Sequence, residues 1–110
     1  MLHTDTRIYR RSLELIRVSA RVIDGLPRGY AHLADQLRRA ASSVTLSFAE
    51  GCGKSSARDR RRTFHSARGS ANEVVAILDV ASAFSALDNE LHHQAADVAD
   101  HLAAMLSRFR

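Results

Sequence analysis

Apolar side chains recur along this chain at the period of a helix, and no segment alternates with the period of a strand. In the middle of the chain they fall at Leu33, Leu37, Ala40, Val44 and Phe48, the spacing of one helix face. The polar residues beside them are ordered too. Gln36, Arg39, Ser43, Ser47 and Glu50 recur every three or four positions and form a second stripe next to the apolar one. Solubility alone requires no such line, so the stripe predicts a surface that meets another subunit or a ligand. This helix is predicted from about Tyr30 to Gly51.

Three further helices follow from the same reasoning. The first runs from about Thr6 to Asp24, with Tyr9, Leu13, Ile16, Ala20 and Ile23 as its core stripe, widened by Leu15, Val18 and Val22. Gly25 is expected to take a left-handed cap there, and Pro27 cannot continue the helix. After a turn at Gly51-Cys52-Gly53-Lys54-Ser55, the pair Ser56 and Asp59 resembles a capping box with aspartate in place of Glu or Gln. The third helix is predicted from about Ala57 to Leu87, with a stripe of Phe64, Ala67, Ala71, Val74, Leu78 and Ala81. Asp88 can cap the fourth, where Leu91, Ala95, Val98, Leu102, Met105 and Phe109 keep heptad spacing. Four long helices with short connections predict an all-α, antiparallel up-down four-helix bundle, a single domain over residues 1–110.

Composition changes this picture in two ways. A length of 110 residues suffices to bury roughly two-thirds of the unfolded surface without cross-links. The single cysteine excludes an internal disulfide, which suits a reducing cytoplasm. The arginines and Glu14 that interrupt the first 26 residues exclude a signal-peptide core or membrane span there, and no membrane partner is expected. Charge is divided along the chain. Residues 1–68 carry fourteen Lys/Arg against six Asp/Glu, and residues 69–110 carry two against six. That asymmetry suits polyanion binding or the docking of subunits head to tail.

With the elements placed, the ordered set Leu33 to Ala41, Ser43-Val44, Ala49-Glu50-Gly51, Ala67-x-Gly69-Ser70 and Glu73 resembles a bacterial four-helix-bundle family. Its type member is encoded by the intervening sequence of 23S ribosomal RNA genes, and the accessory variability-determinant proteins of diversity-generating retroelements are similar in fold. The resemblance implies a ring-forming homo-oligomer, a pentamer. From the retroelement relatives it also implies a basic surface that binds nucleic acid and a reverse transcriptase. The chain departs from the family pattern at Ser47, where asparagine is usual, and at Arg60, Thr63 and Ser66, which occupy apolar positions. Arg68 also stands where an aliphatic residue is usual.

Several groups of residues invite a chemical reading. Phe48 to Ser55 looks superficially like a phosphate-binding loop, but that loop needs glycine at position 48 and a strand leading in, whereas a helix leads in here. His93, Asp97 and His101 share a helical face at metal-ligand spacing but lack a fourth ligand, so a solvated face is expected and no metal or other cofactor. Cys52 beside Lys54 is either a mildly activated thiol or a free turn cysteine without a role. The basic cluster is the strongest candidate. Lys54, Arg58, Arg61, Arg62 and Arg68, with Arg38 from the second helix, are expected to contact the phosphates of RNA or DNA, since planar guanidinium forks fit phosphate oxygens. Arg60 falls near the edge of the apolar stripe. No aromatic residue interleaves with these arginines, so binding is expected to be directed by charge and shape, without base stacking.

Gln36, Arg39, Ser43, Glu50, Ser70 and Glu73 are expected to hold the bundle and its subunit contacts, with Arg39 in a buried or interfacial ion pair with Glu50 or Glu73. Gly69 is expected to admit a second helix at close range. No Ser/His/Asp arrangement is apparent, and the reading is non-enzymatic: a homo-oligomeric nucleic-acid-binding accessory protein. The alternative is a protein-only scaffold ring whose arginines are used between subunits.

Overall fold

Three of the described α-helices start where a side-chain oxygen accepts a free amide of the first turn. In the computed structural model, which describes residues 2–109, Thr6 caps α1 (Arg7–Gly25) by accepting from the Tyr9 amide at 3.0 Å. α2 spans Ala31–Cys52. Ser56 caps α3 (Ala57–Ala83) by accepting from the Asp59 amide at 3.1 Å, and Asp88 caps α4 (Asn89–Arg108) through the Leu91 amide at 2.9 Å. A short 3-10 turn, His3–Asp5, precedes α1. Each helix packs on its two neighbours in the order α1, α2, α3, α4 and back to α1, with the longest seam between α2 and α3. The result is an up-down four-helix bundle measuring 44 × 22 × 18 Å.

The α2 and α3 stripes bury as predicted, from Leu33 to Phe48 and from Phe64 to Ala81. The α1 stripe is displaced by one residue. Ile8, Ser12, Leu15, Ser19 and Val22 face the core, while Tyr9, Leu13, Ile16 and Ile23 are half-buried on its flank and Ala20 is exposed. Two serines in the true stripe hid it from an apolar pattern. Ser12 is accommodated because its hydroxyl donates to the Tyr9 carbonyl at 2.6 Å and accepts from Thr45 Oγ1 at 2.9 Å. It thereby ties α1 to α2.

The connections also differ from expectation. Gly25 closes the last turn of α1, and the left-handed glycine is Gly29, at φ +100°. α3 ends at Ala83, four residues before the expected Leu87. Ser85 turns left-handed at φ 59°, so that its amide reaches the Ser82 carbonyl and the Ala86 amide reaches that of Ala81, both at 2.9 Å. This six-residue return usually carries glycine at the left-handed position, and a serine there gives no such signal. Gly51 belongs to the last turn of α2 and not to the loop. A Cβ on it would stand 2.5 Å from Cε1 of Phe64, so its bare backbone makes room for that ring. Gly69 is exposed with nothing within 4 Å of a built Cβ, so close packing within the subunit does not explain it.

Candidate nucleic-acid interface

The up-down topology brings three chain segments to one end of the bundle: the start of α1, the α2–α3 turn and the end of α4. Arg7 and Arg108 flank Phe109 in one shallow depression there, and the opening turns of α3 flank it in another. The turn itself is fastened by Arg60. Its Nη1 donates to the carbonyls of Lys54 and Ser55 at 3.2 and 3.0 Å, leaving this half-buried guanidinium occupied with the backbone. The capping box forms only in part, because Asp59 accepts no bond back from Ser56 and instead pairs with Arg62 at 3.7 Å.

The predicted cations divide between two sides of α3. Lys54 and Arg62 lie along the α2–α3 groove, each beside a carboxylate of its own helix neighbourhood: Lys54 with Glu50 at 3.4 Å, Arg62 with Asp59. These exposed pairs are worth little, at about 0–1 kcal/mol each. Arg61 and Arg68 line the α3–α4 side, and Arg58 stands out into solvent between the two. Among the described residues none of Arg58, Arg61 and Arg68 pairs with a carboxylate. Arg38 does not join them. It pairs with Asp35 at 3.2 Å and lies fourteen residues before the end of α2, about 21 Å away along the helix axis.

The α3–α4 side is a pocket of about 370 Å³, within the range of small-ligand sites. Arg61, His65 and Arg68 form its rim, Ser107 closes it from α4, and Phe64 and Phe109 make its floor. The two rings meet edge-on with centroids 5.1 Å apart, and each also packs on the fully buried Phe48. Aromatic residues therefore do lie beneath the arginines, contrary to the expectation from sequence. Phe109 comes from the far end of the chain, where its heptad position marks it only as core. His65 stands between Arg61 and Arg68 in the chain itself, whereas Ser107, Arg7 and Arg108 come to the site only through the topology.

The polar stripe separates into a seam and an outer face. Ser70 donates to Ser43 Oγ at 2.9 Å, and the Ser43 and Ser47 hydroxyls approach to 3.5 Å, so small polar residues line the α2–α3 seam. Gln36, Arg39, Ser66 and Glu73 are exposed. Among the described residues Arg39 and Glu73 form no ion pair and Glu50 reaches only Lys54 at the surface, so the buried pair expected between them is not formed within the subunit. Burial pushes the half-buried Cys52 thiol above its ordinary pKa, which opposes the activation considered from its neighbour Lys54. Among the described residues no group of His, Cys, Asp and Glu side chains is arranged to hold a metal, His93, Asp97 and His101 included. No described helix is long and apolar enough to cross a membrane.

Comparison with known proteins agrees with this architecture. The chain is similar in structure to a crystal structure of a protein with unknown function from the S23 ribosomal protein family of Bacteroides thetaiotaomicron VPI-5482. That likeness has a TM-score of 0.83 at 17% identity and covers 90% of this chain and 94% of the other. A search of curated proteins returned no match. The family model described as 23S rRNA-intervening sequence protein matches residues 4–108, and the chain belongs to that family.

Proposed function

We propose that this chain is a non-enzymatic, homo-oligomeric accessory protein that binds nucleic acid through the arginine-rich end of its bundle. The observation that carries the reading is the gathering of Arg58, Arg61 and Arg68, without carboxylate partners among the described residues, beside Lys54, Arg62, Arg7 and Arg108. Phosphate oxygens are the natural acceptors for such a set. The family description refers to a sequence within 23S rRNA genes, so RNA is the first polyanion to test.

A ring of subunits, a pentamer by family resemblance, would multiply each patch. The outward face of α3 supports assembly. Ser66, Gly69, Glu73, Ala76, Val80 and Ala83 follow one another at spacings of three and four residues, all exposed, and Leu46 and Phe84 nearby are 67% and 58% exposed. A helix face this small and this apolar is suited to another helix at short range.

Gel-shift titration against RNA and DNA across a salt series tests the function. If about six phosphates are neutralised, log affinity falls with log salt at a slope of roughly −5. Sedimentation in the same buffers reads the assembly. A ring that binds neither nucleic acid and falls apart as salt rises favours the protein-only scaffold, in which the arginines are taken up between subunits.

A further inference from the structure

The arginine-rich end carries open helix surface, the polar α2–α3 groove and two depressions that share Phe109, of which the α3–α4 one is lined by Arg61 and Arg68. Arg58 stands on open helix surface and Arg62 beside Asp59 in the polar α2–α3 groove, both exposed to the phosphates of any polyanion. Arg61 and Arg68 instead overlook the α3–α4 pocket, with the Phe109 ring below them. They are seven residues apart on one face of α3, about 10 Å along the axis, with His65 between them. The floor is held in place, since Phe109 meets Phe48 and Phe64 edge-on with centroids at 5.2 and 5.1 Å. A duplex keeps its bases stacked inside and offers such a pocket only phosphates. A single strand offers phosphates together with a base whose faces are free, and aromatic side chains in a basic groove are how such strands are commonly held.

We propose that the α3–α4 pocket receives one unstacked nucleotide of a single strand, its base against Phe109 and its flanking phosphates at Arg61 and Arg68. The inference rests on the nucleic-acid reading above and assigns it a strand preference. Arg61 and Arg68 act as phosphate contacts, and Ser107 and His65 offer hydrogen-bonding groups at the rim. Sequence preference stays slight, because every base has a face to stack.

Fluorescence anisotropy with an unstructured 12-nucleotide RNA and the same RNA as a duplex tests this at one fixed salt concentration. The single strand is expected to bind roughly tenfold more tightly than the duplex, and Phe109→Leu to remove most of that difference while duplex binding is unchanged. Because Phe109 also packs on the core, Arg68→Gln gives a second reading from a helix-surface position. It is expected to weaken single-strand binding more than duplex binding, whereas Arg58→Gln, outside the pocket, weakens both alike. Equal affinity for the two forms, or equal losses for both from Phe109→Leu and Arg68→Gln, overturns the pocket assignment and leaves the basic end as a general polyanion surface. Failure of the wild-type protein to bind either form removes the nucleic-acid reading itself.

Discussion

The two ends of the bundle are built differently. At the arginine-rich end, the rings of Phe48, Phe64 and Phe109 pack against one another with centroids 5.1 to 5.5 Å apart, and the charged groups are set over them. At the opposite end the aromatic pair is Tyr30 and Phe84, 5.8 Å apart, with Phe84 largely exposed. Order there comes from the backbone: the left-handed Ser85, the two amides that return to α3, and the Asp88 cap. One end is built around packed aromatic rings, and the other combines main-chain hydrogen bonds and a side-chain cap with the buried Ala86 and Leu87.

Substitutions at each end sharpen the contrast. Phe48→Ala removes the ring shared by both neighbours and is expected to cost about 3–5 kcal/mol, read as a lower midpoint in denaturant unfolding. Gly51→Ala drives a methyl group toward the Phe64 ring, and its expected cost is about 1–3 kcal/mol. An unchanged midpoint for that variant would show that the ring moves aside freely and that the packed floor is softer than described. At the opposite end Asp88→Ala deletes one cap, with an expected loss of about 1 kcal/mol and earlier amide exchange at Leu91. Ser85→Gly is the smallest change and reverses the sign. Relief of the left-handed serine stabilises by up to about 1 kcal/mol, offset in part by the greater freedom of glycine in the unfolded chain. Should Ser85→Gly destabilise instead, the serine side chain contributes to that end and the contrast weakens.

What could be read from the sequence depended on how local the cause was. The α2 and α3 stripes were legible because nearly every inward position carries an apolar residue. The α1 stripe was legible only in Leu15, Val18 and Val22, which widen it, since Ser12 and Ser19 look like surface residues, and Ser12 is acceptable in the core only through its bonds to Tyr9 and Thr45. The break after Ala83 was hidden for a similar reason: a serine took the conformation that glycine would have announced. Among the site residues, the arginines of early α3 were visible as charge. Their division between two sides of the helix could be read only in outline, and Arg60's grip on the turn carbonyls not at all. The pocket floor was out of reach, because Phe109 meets Phe64 only once the bundle has returned the end of α4 to the start of α3.

The uneven placement of charge along the 44 Å axis makes this subunit behave somewhat like a compass needle. Arginines crowd one pole, while Asp79, Asp88 and Glu90 lie toward the other. Under the proposed function, an approaching polyanion would exert a torque before any contact is made, swinging the Phe109 pole forward so that a larger share of encounters begins in a productive orientation. Dissolved salt shortens the range of that pull, so the rate of association should fall with ionic strength even where the final grip is held by the ring beneath the charges.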